Sequence, residues 1–194
     1  MLGFMDSPAA SHPPSTVADT DRRTMVLDSA MVTFARFGYR KTSMEEVARA
    51  ADISRPGLYF LFSSKESLFR AAVTQALERD ITAVEHALAD TGRPLAERLL
   101  DAFDQWAGRY IGPLTRDVAV VIEGNPGLLG EIVETTPQRF EQLITAAISV
   151  EAEQAAARQV AQTMISASTG LKHQAASRDF YLERLEIAID LLVR

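Results

Sequence analysis

Between Ser43 and Phe69 the apolar residues recur three and four positions apart, with polar residues between them, which is the period of short amphipathic helices. Ser43 followed by Glu46 forms a capping box, so a helix is predicted from about Met44, with Met44, Val47, Ala48 and Ala51 on one apolar stripe. Asp52 falls where the chain must turn, and aspartate visits the left-handed conformation at modest cost. Ser54 then caps a second short helix with Pro56 in its first turn. Leu58 and Phe62 are four apart and point inward, which leaves Arg55, Pro56, Gly57, Tyr59 and Phe60 toward the other side. Ser64 caps a third helix whose stripe of Leu68, Phe69, Ala72, Val73, Ala76 and Leu77 runs on to about Ala89, with Lys65 in its first turn.

Upstream, a helix over about Thr20 to Phe37 buries Val26, Leu27, Ala30, Val32, Phe34 and Phe37, and Gly38 supplies the residue that ends it. Residues 1–19 show no periodicity and read as a flexible arm. Downstream of Thr91-Gly92-Arg93-Pro94, the positions Leu95, Leu99, Ala102, Phe103, Trp106 and Tyr110 define a helix ending at Gly112-Pro113. A shorter helix is expected from Thr115 to Glu123, then a start at Asn125-Pro126 leading through Leu128, Ile132 and Val133. Pro137 predicts a kink or a new start before the run Phe140 to about Val150. Residues 153–171 and 178–193 form the last two helices, the second apolar on more than one face. No alternation of period two marks a strand. The fold class is therefore all-α, with about nine helices.

Two adjacent short helices joined by a tight turn form the pattern of a DNA-reading helix-turn-helix, in which Arg55, Pro56, Gly57, Tyr59 and Phe60 lie on the side of the major-groove edges or phosphates. The same pattern also fits a plain helical subdomain whose aromatic residues are core. Charge separates along the chain: residues 22–79 carry +4 and the remainder −10, within a total of −6. A basic unit on an acidic body suits phosphate attraction at one end, although solvated faces alone can produce such a split. With no cysteine and three scattered histidines, thiol chemistry, disulfides and structural zinc are not expected, and no cofactor is. No apolar run is long enough to span a membrane and the start lacks a signal-peptide pattern, so a cytoplasmic protein is expected.

Asp21 to Leu77 resembles the amino-terminal domain of the TetR (tetracycline-repressor-like) family of transcriptional regulators. The residues that carry the resemblance are FARFGYRKTS at the end of the first helix, SMEEVARAADIS in the second, and LYFLFSSKESLF. Within the last run, Leu58-Tyr59, Phe62 and Lys65-Glu66 match the family positions. The resemblance implies phosphate contacts from Tyr59, Lys65 and Thr42 or Ser43, with Arg55, Pro56, Gly57 and Phe60 facing bases. Two positions depart from the family: Asp52 stands where glycine is usual, and Leu61 where tyrosine or histidine often touches phosphate.

The resemblance divides the chain into an arm (1–19), a DNA-binding domain (20–78, reading helix about 54–62) and an effector-binding and dimerisation domain (79–194). It implies a homodimer paired through helices at about 153–171 and 178–193, although on pattern alone those helices fit packing inside a monomer equally well. A repressor is implied that binds a palindromic operator in double-stranded DNA and is released by a small, largely apolar effector. Candidate effector-pocket residues are Phe103, Trp106, Tyr110, Phe140 and Met164, with Arg109, Gln142 and His86 as polar partners; ordinary core or surface roles remain open for each. Two further readings stand beside this one. One is a DNA-binding regulator of the same build without an effector. The other is an all-α enzyme or carrier, against which stand the missing cysteine, Glu-x-x-His pair, phosphate loop and Gly-x-Ser-x-Gly turn.

Overall fold

The structure, a computed structural model, describes residues 17–111, 122, 124, 126–150 and 153–193. Among them are nine α-helices, one short 3-10 helix and no strand. They are α1 (Val17–Phe37), α2 (Met44–Ala50), α3 (Arg55–Leu61), α4 (Lys65–Ala89), α5 (Leu95–Trp106), the 3-10 helix (Gly108–Tyr110), α6 (Pro126–Leu129), α7 (Ile132–Ile148), α8 (Gln154–Gln174) and α9 (Arg178–Leu192). The helix expected over 115–123, the Asn125 cap and the arm up to residue 16 lie outside the described residues, Ile122 excepted.

Two apolar clusters share the long α4. The first gathers Val26, Leu27, Ala30 and Phe34 of α1, Met44, Val47 and Ala48 of α2, Leu58, Phe62, and Leu68, Phe69, Ala72 and Val73 of α4. Phe34 and Phe69 meet edge-on at 5.2 Å, and Tyr39 packs on Phe69 at 4.8 Å, a geometry that favours aromatic pairs beyond the area they bury. The second cluster joins Ile81 and Val84 of α4 to α5, α7, α8 and α9, with Leu99, Phe103, Phe140, Ile144, Met164, Tyr181, Leu185 and Ile189 fully enclosed. Leu129 of α6 belongs to the first cluster, although it lies far beyond α4 in sequence, and Arg70 Nε donates to the Leu128 carbonyl at 2.8 Å.

Several expectations are corrected. Val32 is 67% exposed, because two residues past Ala30 is about 200° around the helix from the buried stripe. Phe37 is exposed at the last residue of α1, where Gly38 (φ 80°) turns the chain away, with the Arg36 guanidinium 5.2 Å from its ring. α1 is already helical at Val17, the first described residue, three residues before the expected start. Gly130, at φ 67°, separates α6 from α7, whereas α7 runs unbroken through Pro137. α5 stops at Trp106, so Tyr110 sits in the 3-10 turn and off the α5 face.

Candidate nucleic-acid interface

Local chemistry sets the three helix boundaries of the motif. At the start of α2 the Ser43 N–H donates to Glu46 Oε2 at 2.7 Å and the Glu46 N–H donates to Ser43 Oγ at 3.2 Å, the reciprocal capping box. The Ser43 backbone N–H, and then its hydroxyl, hold the Glu46 carboxyl below its usual value. After α2 the Ile53 N–H donates to Ala48 O at 3.0 Å and the Asp52 N–H to Arg49 O at 3.3 Å, around Asp52 at φ 51°. That is a Schellman ending with aspartate in the position glycine usually fills. Ser54 Oγ accepts from the Gly57 N–H at 3.2 Å, and Ser64 exchanges hydrogen bonds with Ser67 at 3.0 and 3.1 Å.

These caps aim α3. Leu58 and Phe62 seat the helix in the first cluster, while Arg55, Pro56, Tyr59 and Phe60 face solvent. Phe60 is 89% exposed and Tyr59 43%. The Arg55 guanidinium lies 5.8 Å from the Tyr59 ring centre. Gly57 is half-buried: a Cβ there would meet Ser54 Oγ at 3.1 Å, so its bareness keeps room for the cap.

The structure separates the two hydroxyls at the start of α2. Thr42 is 1% exposed and its Oγ1 donates to Gly38 O at 2.9 Å, so its side chain closes the α1–α2 turn and is not on the surface. Ser43 is exposed. Lys65 also turns inward: Nζ donates to Tyr39 O at 3.1 Å and to Thr42 O at 3.0 Å, 4.6 Å from the Tyr39 ring centre. An ammonium has three N–H groups, and two are committed to these carbonyls. Arg23 was missed by sequence reasoning as a support for α3. Its Nη1 donates to Leu61 O at 3.3 Å and its guanidinium lies 4.3 Å from the Phe62 ring centre, placing a cation at the negative end of the helix. No local pattern links residues 23 and 61; the bond exists because α1 crosses the end of α3.

The candidate pocket residues do not form one group. Phe103, Phe140 and Met164 are core, with Phe103 edge-on to Phe140 at 5.2 Å and the partly buried Trp106 stacked on Phe140 at 4.7 Å. Tyr110 instead donates its hydroxyl to the buried Asp80 of α4, to which Arg109 Nη1 also donates at 3.0 Å. Burial pushes the Asp80 carboxyl up to about 6, outweighing the Tyr110 hydroxyl and the Arg109 and Arg79 charges. Gln142 and His86 face solvent. A second polar joint was also unanticipated: Arg178 of α9 makes a two-pronged bond to the buried Asp104 of α5, beside Gly108.

An all-α chain that braces a short, outward-facing helix behind a tight turn, on a basic first unit, has the build of a helix-turn-helix DNA-binding transcription regulator. Residues 26–72 match the family model described as "Bacterial regulatory proteins, tetR family". Residues 26–72 therefore carry the amino-terminal domain of tetR-family regulators. Among relatives, it is 24% identical over 168 residues to the HTH-type nicotine-responsive transcriptional repressor HdnoR of Paenarthrobacter nicotinovorans, covering 81% of this chain and 85% of that one. It is 36% identical over 58 residues to the uncharacterized HTH-type transcriptional regulator YhgD of Bacillus subtilis, covering 30% of each chain. A solved structure described as a TetR-family transcriptional regulator of Mesorhizobium loti superposes with a TM-score of 0.75 at 16% identity, over 89% of this chain and 95% of that one. No described helix is long and apolar enough to cross a membrane.

Proposed function

We propose that the protein is a repressor that binds a palindromic operator as a homodimer, in the cytoplasm, and is released by a small, largely apolar molecule. The observation that carries the DNA-binding reading is α3 itself, anchored by Leu58 and Phe62 and presenting Arg55, Tyr59 and Phe60 to solvent. In this reading residues 20–78 form the DNA-binding domain and 79–194 the effector and dimer domain. Arg55, Pro56, Gly57 and Phe60 approach bases, while Ser43, Tyr59 and the third N–H of Lys65 take phosphate. Phe180, Ile187 and Leu191 stand exposed on α9, opposite its buried Tyr181, Leu185 and Ile189, and supply an apolar face for pairing. A two-fold dimer sets two reading helices on successive major grooves. Leu129 in the first core and the Arg70 bond to Leu128 supply a route by which a shift in the second half of the chain reaches α4 and the reading helix.

The relative HdnoR is nicotine-responsive, which supports an effector for this chain. A regulator of this build without an effector is the second reading; the mutual packing of Phe103, Phe140 and Trp106 gives these rings a core role that needs no bound molecule. Selection of bound duplexes from a random library by purified protein, followed by sizing of the complex, tests the first part. A palindromic consensus bound by two protomers is expected; no enrichment at low salt by folded protein overturns it. Arg55→Ala should then relax preference at one symmetric pair of positions, costing about 1 to 3 kcal/mol per contact, and unchanged selection would remove Arg55 from the base-reading set.

A further inference from the structure

Residues four apart on a helix form a ridge, and α3 presents two such ridges side by side. Arg55 and Tyr59 make one, with the guanidinium and the phenol 5.8 Å apart; it carries the hydrogen-bonding chemistry of the helix. Pro56 and Phe60 make the other, exposed and without a polar side-chain atom. Phe60 takes no part in either core cluster, while its neighbours Leu58 and Phe62 are fully seated. A phenyl ring held out in water gains nothing from a phosphate or from the polar edge of a base. The major groove offers one apolar group, the C5-methyl of thymine.

The geometry points to Phe60, backed by Pro56, as a specificity residue that reads a thymine methyl in each half-site, next to the base pair approached by Arg55. This rests on α3 being the reading helix, as proposed above. The ring removes the methyl from water and receives no comparable contact from cytosine or from uracil, which lacks that single carbon. Methyl burial at about 0.8 kcal/mol corresponds to about fourfold in affinity per half-site and about fifteenfold for a two-fold symmetric site.

The test uses the full chain and the duplex it selects from a random library, resynthesised with deoxyuridine replacing thymidine at one symmetric pair of positions at a time. At one pair the wild-type protein should lose about fifteenfold in affinity. Phe60→Ala should bind the thymine and uracil duplexes equally, while Phe60→Leu, which keeps an apolar branch, should retain part of the difference. The exposure of Phe60 makes both variants fold as the wild type does, which helical circular dichroism checks. Equal binding of every uracil duplex by the wild type overturns the inference and leaves the regulator reading standing, as does discrimination that survives in Phe60→Ala. Failure to select any duplex sinks the regulator reading, and this inference with it.

Discussion

Asp80 sits in the middle of α4 with its carboxylate out of water, held by the Tyr110 hydroxyl and Arg109. Its folded value of about 6 stands above the ordinary 3.8. A carboxyl raised on folding keeps a proton that the unfolded chain has released, so its contribution favours the fold at low pH and is lost as pH rises through about 6. The difference amounts to about 3 kcal/mol. Asp80→Asn should therefore gain stability relative to wild type between pH 4 and pH 6.5, in denaturant titrations run across that range; a difference that stays flat would mean the carboxyl titrates as an ordinary one. Lys65 calls for a double readout. If its third N–H meets phosphate, Lys65→Ala lowers the salt dependence of DNA binding by about one unit of slope. Because two N–H groups hold Tyr39 and Thr42, the same variant also lowers the unfolding midpoint. A lowered midpoint with unchanged slope would assign Lys65 to bracing alone.

Among the elements, what was legible from sequence is what neighbours in the chain decide. The Ser43–Glu46 box, the Ser54 and Ser64 caps, the left-handed Asp52 and Gly38, and the bounds of α4 all depend on contacts within about six residues. What was not legible depends on elements meeting across space. The inward reach of Lys65, the Arg23 support of α3 and the departure of Tyr110 toward Asp80 each involve a partner more than twenty residues away along the chain. The joint of α5 with α9 is the sharpest of these. A Cβ on Gly108 would collide with Asp104 Oδ1 and come within 3.2 Å of Tyr181 Cε1, so the glycine lets Asp104 accept from Arg178. Gly108→Ala should cost about 1 to 3 kcal/mol in urea unfolding. Gly170→Ala, inside α8 about one turn before its end and with open space around it, should instead stabilise by about 0.5 to 1 kcal/mol. Equal effects at the two positions would show that the Asp104 contact imposes nothing.

On the scale of the whole molecule, the arrangement of α9 decides whether one protomer suffices. Tyr181, Leu185 and Ile189 use one side of the helix for the monomer's own core, and Tyr181 shares a buried hydrogen bond with Ser168 at 2.8 Å. The opposite side leaves Phe180, Ile187 and Leu191 uncovered at spacings of seven and four, and α8, which packs against α9, has Thr163, Ser166 and Thr169 among its exposed positions. Small side chains on one helix next to an apolar stripe on its neighbour permit close approach of a second copy. If this face pairs, each protomer carries one reading helix and the dimer gains the avidity of two half-sites, a factor of about 10² to 10⁴. Ile187→Asp puts a charge into the paired face without touching the first core or α3. It should yield a monomer by sedimentation, with helicity kept, and lower affinity for the selected palindrome by about a hundredfold or more while leaving weak half-site binding intact. A variant that sediments as wild type would locate the dimer elsewhere. One that is monomeric yet binds the palindrome undiminished would mean that each protomer reads its half-site alone, and that the spacing between reading helices carries no part of recognition.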